Sequence, residues 1–446
     1  MRIERSGITM TRYGLTGIGI AVGFCAGLAL LPMARGAEGG SQSAYQALDR
    51  FGQAFAVVRA RYVEAPDDRL MVENALNGMI SSLDPHSSYF DPKTYADMQV
   101  KTEGQYGGLG LVIAADKGTI KIVTPMDDTP ASKAGIKAGD VILAVDGKGL
   151  QGLTLDKVQE LLRGAAGTKV TLTLMRGSDD KSFEVKLERA AIEVEAVKSH
   201  REGDVGYIRI PAFNEHTGEG LEAAVRSLKK QIGPKLKGYI VDLRDNGGGV
   251  LDQAIAVSDD FLDSGEIVST RGRNAQDTER WDAKPGDIAE GKPLIVLING
   301  GTASASEIVA GALRDHKRAI TLGITSFGKG SVQTIIPLNG GEDGALHLTT
   351  ARYYTPSGGS IQATGIAPDI AVAQGDEASD LPKVEEPSEA DLPHHLMAED
   401  NSNRSTVAPI RPPPASKIAD FQLSYALDVM NGKIKSDSFV RIAHAN

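Results

Sequence analysis

The stretch Leu294-Ile295-Val296-Leu297-Ile298-Asn299-Gly300-Gly301-Thr302-Ala303-Ser304-Ala305-Ser306-Glu307 decides the fold. Five consecutive branched apolar residues predict a buried strand, and the glycine pair predicts a tight turn. Ile308, Val309, Ala312 and Leu313 then fall on one face of a helix. Ser304 sits at the turn, where N–H groups left free at a helix start face whatever a serine attacks and can stabilise an oxyanion. The same stretch also fits an ordinary strand-to-helix turn with Ser304 as its N-cap.

Upstream the arrangement repeats. Gly238-Tyr239-Ile240-Val241-Asp242-Leu243 reads as a buried strand, Arg244-Asp245-Asn246-Gly247-Gly248-Gly249 as a turn, and 250–262 as a helix. Two such units imply an α/β core with a largely parallel sheet, whose glycine turns meet at one edge. Further strands are expected at 206–210, 320–323, 332–337 and 346–354, with an amphipathic helix at 219–231. Trp281, in a polar excursion over 265–290, is expected to bury against this core.

Residues 44–100 follow a helical period and end in Ser82-Leu83-Asp84-Pro85-His86-Ser87-Ser88-Tyr89, read as a connecting turn. The glycine-rich Tyr106-Gly107-Gly108-Leu109-Gly110-Leu111-Val112-Ile113 comes next. A phosphate cradle fits it poorly, since neither phosphate-loop spacing nor a following helix is present. Capture of a peptide's terminal carboxylate by free N–H groups of Gly107, Gly108, Leu109, Gly110 and Leu111, with strand pairing along the edge, fits better. A short helical turn at Pro130, a strand over 141–145 closed by Asp146-Gly147, and a helix capped by Thr154 and ended by Gly164 follow. That order resembles a bacterial-type PDZ domain over 102–190, although such a fold also exists without bound peptide.

The 446 residues suffice for several domains, and a net charge of −10 argues against a general nucleic-acid binder. Arg2, Arg5 and Arg12 precede an uncharged apolar run over 14–31, followed by small residues near Ala34 to Ala37. This pattern predicts export to the periplasm, either with a cleaved signal or with the run retained as an inner-membrane anchor. The sole cysteine, Cys25, lies inside that run, so the exported part has no thiol nucleophile, disulfide or cysteine-ligated metal. The eight histidines lack zinc-hydrolase spacing, and neither metal nor cofactor is expected. The expected division is 1–37 signal or anchor, 38–101 helical segment, 102–190 PDZ domain, 191–375 peptidase core, 376–414 acidic proline-rich mobile linker, and 415–446 C-terminal helical segment.

A serine nucleophile needs a base. His316 is 12 positions beyond Ser304 and falls about three turns along the same helix, too far to reach. His86 remains a rival base. Lys329, between Gly328 and Gly330, is the alternative, provided its amine is neutral. Lowering its pKa from about 10.4 to near 7 requires about 4 to 5 kcal/mol of destabilisation of the ammonium, within the reach of burial. Gln333, four residues on, shares a face with Lys329 and could orient the amine without restoring its charge.

Together these stretches resemble the C-terminal processing peptidases, or tail-specific serine peptidases: Leu83-Asp84-Pro85-His86-Ser87, the PDZ unit, 242–249, 302–307, Phe327-Gly328-Lys329-Gly330 and Tyr353-Tyr354-Thr355-Pro356-Ser357-Gly358. The resemblance implies a Ser304/Lys329 dyad supported by Gln333, with the backbone N–H groups of Gly249 and Ala305 as oxyanion donors. Ser306 is a rival nucleophile, and the 25-residue serine-to-lysine spacing favours Ser304. Gly359 departs from the family, which usually carries a basic residue there. Protein C-terminal tails are the implied partners, with an adaptor protein and self-association through helical ends as further expectations. The resemblance also implies gating by the PDZ domain. A PDZ scaffold that binds tails without cleaving them is the alternative.

Overall fold

A computed structural model describes residues 38–116, 119–126, 128–176, 182–193, 195–374, 388–399, 408–413 and 418–434. The expected signal or anchor lies outside these residues. The chain divides into two compact units, Met1–Asp68 and Arg69–Asn446. In the first, a helix spans Glu38–Arg61 and leaves Tyr45, Leu48, Phe51 and Val58 exposed. No helix among the described residues is long and apolar enough to cross a membrane.

In the second unit, an antiparallel sheet is ordered Leu111–Asp116, Thr119–Pro125, Val141–Val145, Lys169–Met175, Ser182–Glu188. Alternation along Lys169–Met175 buries Val170, Leu172 and Leu174 against Ile122, Ile142 and Val158 of the Leu155–Leu162 helix. Thr154 caps that helix by accepting the Lys157 N–H. The Gln105–Gly108 and Ala190–Glu193 strands pair with each other. Paired structure therefore continues past the expected border at 190, because the incoming and outgoing chains satisfy each other's backbone groups.

The peptidase core is built on a six-stranded sheet ordered Lys198–Glu202, Val205–Arg209, Gly238–Asp242, Leu294–Ile298, Ile320–Gly323, Ile370–Ala371. Only the first pair is antiparallel. Parallel strands are buried on both faces, and every residue of Gly238–Asp242 and Leu294–Ile298 is buried. Val241, Val296 and Ile298 face the Thr217–Ile232, Leu251–Asp259 and Ala305–Asp315 helices. Ile240, Ile295, Leu297 and Leu322 face the Phe421–Met430 helix. A second, antiparallel sheet joins Ser88–Phe90, Ala345–Tyr354, Glu266–Gly272 and Thr278–Asp282, with Ser331–Pro337 also pairing to Ala345–Tyr354. Trp281, on Thr278–Asp282, is partly buried against the core.

The stretch expected to be a mobile linker differs in its described parts. Glu389 is buried at 1% exposure and sits in a helical turn, Glu389–Asp391, while Ile410 bridges Val372 at the end of the parallel sheet. Acidic composition suggested solvation, but Glu389 has side-chain partners on the core.

Candidate active site

The parallel strands Gly238–Asp242 and Leu294–Ile298 end side by side, so their glycine turns meet. Asn246 ties them together: its carbonyl accepts the Ala303 N–H at 2.9 Å and the Ser306 hydroxyl at 3.0 Å. Ser306 is fully buried and committed to that bond, whereas Ser304 keeps 7% exposure. A Cβ on Gly248 would lie 2.9 Å from Ser304 Cβ and 3.0 Å from Ala305 N, and Gly248 has φ +99°. Only glycine lets the turn come this close to the serine. Gly249 bridges to Phe213 with φ +143°, and a Cβ there would meet Phe213 O at 2.0 Å. Ala305 opens the helix, so its N–H has no helical carbonyl behind it.

Ser304 has φ +56° and ψ −116°, an uncommon conformation for a residue with a side chain. Glu307 helps to hold it there. Its fully buried carboxylate accepts the N–H of Ser304 (2.8 Å), Lys329 (2.9 Å) and Gly328 (2.7 Å), and the hydroxyl of Ser326. Burial pushes the Glu307 carboxyl up to about 7, and the four donors pull against it. One side chain thus fixes the backbones of the serine and the lysine together. The spacing Ser304-x-x-Glu307 is a helix-start signal that sequence reading could have used.

Lys329 is half-buried. Burial drives its pKa below the usual lysine value, while Glu389, Glu307 and Asp84 pull it back. No hydrogen bond joins Ser304 Oγ to Lys329 Nζ among the described residues. Tyr353, missed in the sequence, faces the Ser304 side chain, and burial pushes its phenol up to about 12.

Gln333 is placed differently from expectation. Its Nε2 donates to Ser331 Oγ at 2.9 Å and Thr349 Oγ1 at 3.1 Å, and not to the lysine amine. Lys329 precedes the Ser331–Pro337 strand, whose register slips between Val332 and Gln333, so a simple alternation from 329 to 333 does not hold. His316 caps its helix at the far end, 2.7 Å from Glu266 O. His86 lies near the lysine side of the site and contacts Glu389. The turn before Ser87 is pinned by Asp84, which accepts the N–H of His86 and Ser87 and the hydroxyls of Ser87 and Thr349. Burial opposes the Asp84 carboxylate, but these bonds outweigh it and hold its pKa below the ordinary value.

In the PDZ unit, a groove of about 250 Å³ is lined by Gly108, Leu109, Gly110 and Leu111. Gly107 lies outside the lining; a Cβ there would strike Gly164 O at 2.0 Å, so it serves close packing. Gln159, Leu162 and Arg163 form the helical wall, which the sequence reading had not assigned.

Comparison with known proteins matches residues 204–372 to peptidase family S41, 121–176 to a PDZ domain and 32–94 to the activating protease CtpB N-terminal domain. Fold and matches define a serine peptidase that carries a PDZ domain. A carboxy-terminal-processing protease of Bartonella bacilliformis is 50% identical over 404 residues, covering 89% of this chain and 91% of that protein. The carboxy-terminal processing protease CtpA of Bacillus subtilis is 36% identical over 325 residues, covering 72% and 68%. Among solved structures, a photosystem II D1 C-terminal processing protease is 32% identical, covering 74% of this chain and 92% of that one, with a TM-score of 0.43. The chain belongs to the carboxy-terminal processing proteases of family S41.

Proposed function

We propose that this peptidase is exported to the periplasm, binds the C-terminal tails of protein substrates in the PDZ groove, and cleaves them with a Ser304/Lys329 dyad. The observation that carries the dyad is the Glu307 carboxylate, which accepts the N–H of both residues. The neutral Lys329 amine removes the Ser304 proton as Oγ attacks the scissile carbonyl carbon, and the N–H groups of Gly249 and Ala305 receive the oxyanion. The ammonium then protonates the leaving amine. Water, deprotonated by the same amine, releases the acyl group and restores the serine. In purified enzyme, Ser304→Ala and Lys329→Ala each lower cleavage of a tail-bearing protein by at least about 1000-fold. Undiminished cleavage in either variant refutes the dyad.

Gating is supported by a contact path at the base of the PDZ unit. Thr102 O accepts the Glu215 N–H, Gln105 bonds His216 at 3.0 Å, and Gly104 packs on Asn214. Asn214 follows Phe213, whose backbone bonds Gly248 and Val250 on either side of the proposed oxyanion donor. A tilt of the PDZ unit would therefore reach the turn that receives the oxyanion. The exposed apolar side chains of Glu38–Arg61 support self-association, readable as the mass of the intact protein by light scattering. An adaptor protein would add a second way of engaging the gate.

A further inference from the structure

Residues 388–399 return as a strap against the loop that carries Lys329. The Glu389 N–H donates to Phe327 O at 3.0 Å. On the other side of the lysine, the Gly330 N–H donates to Gln362 Oε1 at 3.0 Å, and Gln362 Nε2 donates to Glu389 Oε1 at 3.0 Å. Gln362 Nε2 also reaches Leu396 O at 3.0 Å, and Arg352 and Tyr354 hold the far end of the strap at Met397 O and Glu399. His86 Nε2 lies 2.7 Å from Glu389 Oε2. Both flanks of Lys329 are thus tied to one buried acidic residue, at Phe327 directly and at Gly330 through Gln362.

Three carboxylates act on the lysine from three elements: Glu389 on the strap, Glu307 on the Ala305–Asp315 helix, and Asp84 in the turn before Ser87. His347 on Ala345–Tyr354 also faces it, and His86 lies against both His347 and Glu389. The carboxylates differ in how they are solvated by the protein. Glu307 accepts three backbone N–H groups and a hydroxyl, and Asp84 accepts two N–H groups and two hydroxyls. Among the described residues, the carboxylate of Glu389 has the Gln362 amide and the His86 ring as partners. With fewer donors than the other two, it is the carboxylate whose removal is expected to change Lys329 most.

We propose that Glu389 is a positioning residue for the base: it clamps the loop on either side of Lys329 and sets how readily the amine loses its proton. The proposal rests on the Ser304/Lys329 reading. It contains a trade-off, because a neighbouring carboxylate favours the ammonium, so the clamp secures geometry while weakening the base. Nothing in the 376–414 composition points to such a role.

The test uses the full chain with Glu389→Gln and Glu389→Ala. The pH dependence of kcat/KM is measured on a tail-bearing protein. In a Ser304→Ala background, competitive acylation of the Lys329 amine across pH, read by mass spectrometry, follows its titration without turnover. Glu389→Gln keeps an acceptor for Gln362, so the loop stays placed; the acid limb and the amine titration both move down by about one pH unit. At a pH on that limb, cleavage rises by up to about tenfold. Glu389→Ala loses the clamp, and kcat falls at every pH while the amine titration still moves down. An unmoved titration in both variants, with Lys329→Ala inactive, overturns the role of Glu389 and leaves the dyad standing. Cleavage that survives Lys329→Ala instead removes the dyad, and the positioning of a base with it.

Discussion

Ser304 holds its hydroxyl at a backbone conformation that a side chain resists. Such conformations cost about 1 to 3 kcal/mol and persist where surrounding bonds over-determine them, here the Glu307 carboxylate and the Asn246 carbonyl. Ser304→Gly and Ser304→Ala both remove the hydroxyl, but only glycine relieves the strain. Glycine is expected to be the more stable variant by about 1 kcal/mol or more in denaturant unfolding. Lys329 stores a second cost, the burial of an ammonium. Its folded pKa lies below its unfolded value, so the unfolded chain binds the proton more readily, and stability rises with pH up to the unfolded value near 10.5. Lys329→Met is accordingly expected to stabilise the protein at neutral pH, with the gain shrinking as pH approaches 10.5 in parallel unfolding titrations. Residue type and glycine framing singled out the serine and the lysine as candidates, and the fold brings their backbones onto one carboxylate. Glu307 was readable only as a helix-start acid, because its second set of bonds reaches a loop 21 and 22 positions away.

At the scale of elements, apolar runs located the parallel strands up to Ile320–Gly323, since burial on both faces leaves an unmistakable composition, while the two-residue Ile370–Ala371 strand was too short to show. What stayed illegible depended on register and on distant partners. Gln333 escaped because a slip beside it alters the face it presents, and the strap escaped because Glu389 finds partners at His86 and Gln362. The meeting of the two glycine turns yields a sharp prediction. Gly248→Ala sets a methyl group 2.9 Å from Ser304 Cβ at a φ that alanine avoids. The expected outcome is about 1 to 3 kcal/mol of lost stability and a fall in kcat of at least tenfold, with KM little changed, in steady-state kinetics on a tail-bearing protein.

Across the molecule, the strand pair Gln105–Gly108 with Ala190–Glu193 joins the PDZ unit to the rest, beside the Asn214 contact, and Lys93 ion-pairs with Glu160 on its helix. Replacing residues 109–189 by a short turn, with that pair kept, tests gating without unpicking the core. Cleavage of an unfolded protein irrespective of its tail is expected; a folded but inactive product would indicate that the PDZ unit activates rather than restrains.

The Phe421–Met430 helix covers the second face of the parallel sheet, and Arg244 joins the Asp242 carboxylate at a strand end to Asp420 at the start of that helix. A cut within that helix would bare Ile240, Ile295, Leu297 and Leu322, so a protease built this way must leave one of its own helices uncut to keep its sheet covered.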